Sequence, residues 1–223
     1  MGNFVFTPKS DRSQITTDRV DDVVERIWHL MHQAPNLPVL VLIGGCSQAG
    51  KSWLAEAVKD RLAEVDTPCL IVGLDAWLMG LDQRRPESCV MERYDCAPIQ
   101  RDINLLLQGR PIYPPVYDAR TRRRVSESSS VPIQIVQGVL IVEGGIALAL
   151  PRLREKAALK VFVSVEDSTR WTRLLSFYCD FKGVGQSEAE RILHQREMEE
   201  VPFVRATQVW ANLMFQGDGR NKR

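Results

Sequence analysis

Val39-Leu40-Val41-Leu42-Ile43-Gly44-Gly45-Cys46-Ser47-Gln48-Ala49-Gly50-Lys51-Ser52 decides the fold. Its first five residues are a continuous run of valine, leucine and isoleucine entered through Pro38, as expected of a parallel strand buried on both faces. Gly45 to Ser52 then match G-x-x-x-x-G-K-S. The glycines let the backbone wrap with its N–H groups pointing inward, towards an anion that no side chain approaches as closely. Behind the loop, Leu54, Ala55, Val58 and Leu62 recur at helical spacing between Ser52 and Val65, so the positive end of a helix dipole faces the same anion. Strand, glycine loop and helix in that order predict a phosphate cradle made by the backbone of Gly45, Cys46, Ser47, Gln48, Ala49 and Gly50. Lys51 is expected to reach the β- and γ-phosphates, and the Ser52 hydroxyl to ligate magnesium. ATP and Mg2+ are the cofactors this implies. The alternative, a chance match in an ordinary glycine turn, is weakened by the flanking strand and helix.

Working outward, Pro68 to Leu74, Val139 to Val142 and Leu159 to Val165 repeat the apolar strand signature, and Ala211 to Phe215 offers a last strand. Between them, helical periods run from Thr17, a plausible N-cap, to Pro35, over 99–108 until Gly109, from Asp167 to Tyr178 and from Glu188 to Glu199. Strands alternating with helices give an α/β fold of the P-loop NTPase type, a central, mostly parallel sheet flanked by helices. Pro111 to Tyr117 and Val131 to Val136 read as a hairpin joined by an arginine- and serine-rich loop. The expected organisation is a flexible arm over residues 1–16 and a single domain over 17–223. A hairpin insertion is expected at about 109–137 and a helical lid at about 170–200.

The 223 residues suffice for one sizeable core, and a net charge of +1 gives no global field to steer nucleic acid or an anionic membrane. No stretch reaches the roughly 20 apolar residues of a membrane span, and no apolar run follows a positive start, so a soluble cytoplasmic protein is expected. Five cysteines, Cys46, Cys69, Cys89, Cys96 and Cys179, lie scattered without CxxC or Cys/His ligand spacing and read as reduced thiols. His29, His32 and His194 stand on helical segments without a partner at metal spacing.

Two carboxylates give the loop a chemistry. Asp75 ends the strand after the P-loop helix, and the carboxyl ends of parallel strands line the ligand crevice. There it would orient a substrate hydroxyl and accept its proton; a strand-terminal turn or cap is the alternative. Glu143 ends Val139 to Val142, where it serves either a magnesium-bound water or a structural hydrogen bond.

The order of these pieces resembles the uridine kinase and phosphoribulokinase group of P-loop kinases. The resemblance is carried by Gly45 to Ser52, Asp75-Ala76-Trp77, Tyr94-Asp95 with Pro98 behind, Pro115-Val116-Tyr117-Asp118 with Arg124, and Val139 to Gly144, and it runs from about Val39 to about Asn212. It implies Asp75 as catalytic base, Ser52, Glu143 and Asp75 as the residues around magnesium, Asp95 on the acceptor's hydroxyls, and Tyr94 and Tyr117 lining the acceptor site. Where uridine kinases offer the pyrimidine an aromatic residue and a histidine, this chain has Ala119 and Arg122, so the uracil contacts do not carry over.

Arg120-Thr121-Arg122-Arg123-Arg124 stands there instead, a cluster that holds an anionic acceptor through Arg122 and Arg124 or else is a solvated loop. Arg173 and Lys182 are candidates for clamping the transferring phosphoryl group, with Arg196 and Arg205 as substitutes. Trp77, beside the expected base, is a candidate for stacking on substrate, while Trp28, Trp53, Trp171 and Trp210 are expected in the core. The first functional reading is a monomeric or homodimeric kinase that phosphorylates a hydroxyl of a small molecule of the nucleoside, sugar or sugar-phosphate class. Two alternatives stand beside it: a kinase acting on a nucleic-acid or modified-nucleotide hydroxyl, and a non-catalytic ATP-sensing module.

Overall fold

A computed structural model describes residues 14–33, 37–85, 87–125 and 131–217. Its centre is a six-stranded, all-parallel sheet. The strands are β1 (Ile15–Thr17), β2 (Val39–Gly45), β3 (Cys69–Gly73), β6 (Val139–Glu143), β7 (Leu159–Ser164) and β8 (Leu213–Gln216), and they lie side by side in the order β1-β8-β7-β2-β6-β3. β2 is buried along its whole length, as its unbroken apolar run requires. Leu40 and Leu42 pack on one face with Leu140, Val142 and Phe162, while Val39, Val41 and Ile43 pack on the other with Ile141, Val161 and Val163. Burying each such side chain contributes roughly 1.5–3 kcal/mol, so a strand sealed on both faces holds the loop that follows it in place.

Helices cover both faces. α1 (Val20–Gln33) and α2 (Lys51–Ala63) seal one, through Val23, Val24 and Ile27 and through Leu54, Ala55, Val58 and Leu62. On the other lie α3 (Cys96–Leu107), the short α4 (Pro151–Lys156) and the end of α6 (Gln186–Ala206). A third small core, built on Leu174, Tyr178, Ala189 and Leu193, joins α5 (Asp167–Ser176) to α6 through a π-helical turn at Phe177–Phe181. These elements fall in the stretch read as a lid.

Three expectations change. Ile15 and Thr16 are not part of a loose arm: with Thr17 they pair in parallel with Leu213 to Phe215, backbone hydrogen bonding giving order to a stretch without any hydrophobic period. The arm over 1–13 and the stop at Pro35 lie outside the described residues. The hairpin is shorter and tighter than read: β4 (Val116–Asp118) pairs with β5 (Arg123–Val125), and the outer segments meet only in an isolated bridge between Ile112 and Ile133. Asp118 explains the early turn, because its carboxylate accepts from the Arg120 N–H at 2.8 Å and from the Thr121 hydroxyl at 2.6 Å, an Asx-type turn that closes the chain at once. Finally, Trp28 is 36% exposed rather than in the core.

Candidate active site

Three parallel strands deliver the site from their carboxyl ends. β2 runs into the phosphate loop, β6 ends on Glu143, and β3 feeds a tight turn, Leu74–Trp77, that carries Asp75. Register sets Glu143 level with Ile43 on one side and Gly73 on the other. The loop closes with the Ala49 N–H donating to the Cys46 carbonyl at 3.1 Å, and the Lys51 ammonium donates to the same carbonyl at 3.0 Å. Gln48 and Gly50 take left-handed φ values of 61° and 104°, which wind the loop into the start of α2. Cys46 is 7% exposed and its thiol is raised by burial, so its backbone rather than its sulfur serves the loop.

The Ser52 hydroxyl donates to Glu143 Oε1 at 2.9 Å. Burial pushes the Glu143 carboxyl up, against the pull of Lys51 and of the Ser52 hydrogen bond. Among the described residues no group of three Cys, His, Asp or Glu side chains forms a metal cage. Two adjoining hard oxygens at the mouth of a phosphate loop suit Mg2+, which keeps waters and phosphate oxygens as most of its shell.

Asp75 is exposed and accepts a hydrogen bond from the Tyr94 hydroxyl at 3.2 Å. Burial first, then the charge of Asp75, pushes the Tyr94 phenol well above its ordinary value, so it stays a donor and orients the carboxylate. Asp75, Tyr94, Lys51, Ser52 and Glu143 all line one cavity of about 1080 Å³. That reaches the top of the roughly 300–1,000 Å³ common for a single ligand, room for a nucleotide and an acceptor together.

The expected basic residues divide. Arg173, on α5, donates from Nη1 to the Gln48 carbonyl at 3.3 Å, and its Nη2 is buried without a partner among the described residues. Arg173 is not among the residues that line the cavity, so it braces the loop at Gln48 and does not face its mouth. Lys182 lies elsewhere on the cavity wall, 5.2 Å and 4.8 Å from the ring centroids of Phe177 and Tyr178. Burial lowers its pKa to about 8, helped by the charges of Arg122, Arg196 and Arg84. Arg196 donates to Glu200 and, at 2.7 Å, to the Tyr178 hydroxyl, and Arg205 pairs with Asp167.

From the hairpin, Tyr117 and Arg122 line the cavity together with Ala119. Asp95 and Arg124 do not. Arg124 donates to the Leu78 carbonyl at 2.9 Å, to the Trp77 carbonyl at 3.0 Å and to Asp95 at 3.4 Å, pinning the hairpin to the turn that carries Asp75. Trp77 is also corrected. It is 1% exposed and donates its indole N–H to Asp102 at 3.2 Å, so it packs beneath Asp75 and has no face for a substrate. Replacing it in Trp77→Phe would leave the buried Asp102 carboxylate short of a donor, at about 2 kcal/mol. The unfolding midpoint is expected to fall by about 4–8 °C, read by thermal denaturation.

Sequence reasoning missed Arg84, Arg93, Tyr178 and Glu200, which also line the cavity. Arg84 donates to the Met79 carbonyl at 2.8 Å and to the Tyr117 hydroxyl at 3.0 Å, whereas Arg93 pairs with Glu199 and Glu200. The segment from Leu78 to Arg93 has no period and no motif, so only the Arg84-Arg85 doublet marks it in the sequence.

No family model matches the chain. Its curated relatives include the uridine kinase of Latilactobacillus sakei subsp. sakei (strain 23K), 25% identical over 193 residues, which span 83% of this chain and 88% of that protein. Among solved structures, a candidate fructose transport system kinase from Silicibacter sp. superposes with a TM-score of 0.70 at 16% identity, over 88% of this chain and 98% of the other. D-glycerate 3-kinase from Cryptococcus neoformans superposes at 0.61 with 12% identity, over 92% and 90%. Identities this low bear on fold alone, and the fold is that of the P-loop kinases. The resemblance to uridine kinases carried by the motifs is thus matched by homologues of that name at modest identity.

Proposed function

We propose that this chain, whose curated relatives include uridine kinases, is a Mg·ATP-dependent kinase that moves the γ-phosphoryl group to a hydroxyl of a small molecule. The observation that carries this reading is one cavity whose wall holds both a phosphate loop, with Lys51 and Ser52, and a tyrosine-oriented carboxylate, Asp75. A phosphate site alone binds nucleotide. A base in the same chamber gives the nucleotide something to react with.

In this mechanism the loop N–H groups and Lys51 hold the β- and γ-phosphates, and Lys51 leaves the Cys46 carbonyl to do so. Ser52 and Glu143 are the residues that would hold magnesium, which when bound neutralises the phosphate charge. Asp75 accepts the proton of the attacking hydroxyl as its oxygen bonds to the γ-phosphorus and the bond to ADP breaks; Tyr94 keeps the carboxylate aimed. Arg173 steadies the phosphate loop through the Gln48 carbonyl. The hairpin and the α5–α6 segment belong to the same single kinase domain, as acceptor wall and lid.

The test is ADP release in a coupled assay across nucleosides, sugars, sugar phosphates and hydroxy acids. Acceptor-dependent release is expected, and chelating the metal with EDTA should bring it to background, with excess Mg2+ restoring it. ADP release that is indifferent to every acceptor and to EDTA would remove the kinase reading.

A further inference from the structure

The neighbouring arginines of the cavity are compensated: Arg93 by Glu199 and Glu200, Arg170 by Glu197, and Arg196 by Glu200. Arg84, Arg122 and Lys182 line the same cavity without an ion pair among the described residues, as does Arg85 next to Arg84. They come from three distant parts of the chain, the Leu78–Arg93 segment, the hairpin turn and the π-helical end of α5.

Two links hold the first two together. The Leu81 N–H donates to the Arg122 carbonyl at 3.0 Å, and Arg84 donates from Nη2 to the Tyr117 hydroxyl of the hairpin at 3.0 Å. With Arg84 Nε on the Met79 carbonyl, its Nη1 makes no hydrogen bond among the described residues and can take a ligand. Arg122 sits at φ 58°, a left-handed conformation that a β-carbon resists and that this turn imposes. Lys182 lies on the aromatic faces of Phe177 and Tyr178, close enough to both arginines for their charges to depress its protonation. The one carboxylate acting on Lys182, Glu200, is already shared by Arg93 and Arg196, so the gathered like charges repel one another and a bound anion relieves the repulsion.

We infer that the acceptor is itself an anion, a hydroxy compound whose phosphate or carboxylate is held by Arg84, Arg122 and Lys182 while its hydroxyl meets Asp75. This rests on the kinase reading and narrows it to sugar phosphates and hydroxy acids, away from uridine and neutral sugars. It moves Lys182 from clamping the transferring phosphoryl group to seating the acceptor, and it gives Arg122, not Arg124, the anionic contact.

Matched pairs test it: ribose against ribose 5-phosphate, glycerol against glycerate, with uridine as a third neutral compound. The anionic member of at least one pair is expected to exceed its neutral partner in kcat/KM by about 100-fold, and which pair responds tells phosphate from carboxylate. Lys182→Gln and Arg84→Ala should raise the acceptor KM by about 10-fold or more with the ATP affinity kept, and Lys182→Arg should recover most of it.

A second readout comes from protonation. The charged groups acting on Lys182 are Arg84 of the Leu78–Arg93 segment, Arg122 of the hairpin turn, and Arg196 and Glu200 of α6. With its pKa at about 8, Lys182 is half charged at that pH and becomes fully charged beside an anion. Calorimetry in buffers of different ionisation enthalpy should therefore show uptake of about half a proton per acceptor bound, absent in Lys182→Gln.

Preference for a neutral compound overturns the inference, as does ATP binding without turnover of any anionic compound. A Lys182→Gln effect on kcat with acceptor KM unchanged also overturns it and returns Lys182 to the phosphoryl group. Tight, salt-sensitive binding of a single-stranded oligonucleotide overturns it in favour of a polymeric acceptor. Failure of the wild-type protein to bind ATP is a separate result, which removes the kinase reading itself.

Discussion

Asp75→Asn is expected to lower kcat by about 10³-fold while ATP affinity stays within a few-fold of the unaltered protein. The substitution removes the capacity to take a proton and little else. Asparagine is nearly isosteric, and its carbonyl oxygen still accepts the Tyr94 hydroxyl that lies 3.2 Å from Asp75 Oδ1. Asp75 itself is exposed at the cavity wall, and the buried phenol of Tyr94 keeps an acceptor in the asparagine. General-base contributions run to about 10²–10⁴-fold, and a phosphoryl transfer to an alcohol needs the proton removed as the new bond forms. Single-turnover kinetics with ATP in excess would separate chemistry from binding. If Asp75 only terminated its strand, the variant would lose less than about 10-fold, and the base would have to be sought elsewhere on the cavity wall.

Gly45→Ala is expected to cost about 3 kcal/mol or more of stability and to abolish ATP binding in whatever remains folded. A β-carbon at Gly45 would sit 2.4 Å from the Val163 carbonyl oxygen, and Gly45 and Val163 are register partners in the β2–β7 pair. The φ of 144° adds strain that an alanine cannot avoid. Relief requires β2 and β7 to separate at the point where the phosphate loop leaves the sheet, so stability and site fail together. Gly50→Ala is the control: its φ of 104° is also strained, but nothing lies within 4 Å of the added carbon. Its cost should stay near the roughly 1–3 kcal/mol of backbone strain alone. Thermal unfolding should place Gly45→Ala about 6–12 °C below the parent. Equal midpoints for the two variants would show that the sheet accommodates the carbon and that the close approach is not what requires glycine.

Much of the fold was legible because it is local. Five apolar residues in a row, Val39 to Ile43, announce a strand with no wet face, and Leu54, Ala55, Val58 and Leu62 announce the helix that packs against it. β1 was illegible for a converse reason. Ile15–Thr17 is three residues long with two exposed, and only backbone bonds to β8, some 200 residues away in sequence, make it a strand. The hairpin slipped because one aspartate closed the turn at Asp118 before the longer apolar segments could pair along their length.

The candidate site divides along the same line. Gly45 to Ser52, Asp75 and Glu143 were found in the sequence because strand ends in a parallel sheet converge, so three local strand readings sufficed to bring them together. Trp77 was misjudged because adjacency in sequence says nothing about which way a side chain turns; Asp102, 25 residues on, draws the indole inward.

By itself, then, the sequence determined a phosphate loop on a buried parallel strand, a helix behind it, and two carboxylates at the ends of neighbouring strands. Those follow from periodicities and motifs confined to a few residues each. Only the tertiary structure decided what faces Asp75. It turned Arg124 into a strut, drew Arg84 out of a segment with no signal, and gathered Arg84, Arg122 and Lys182 around one cavity. Charge gathered from three distant segments is a property of packing, and no local pattern encodes which cations are left without a partner.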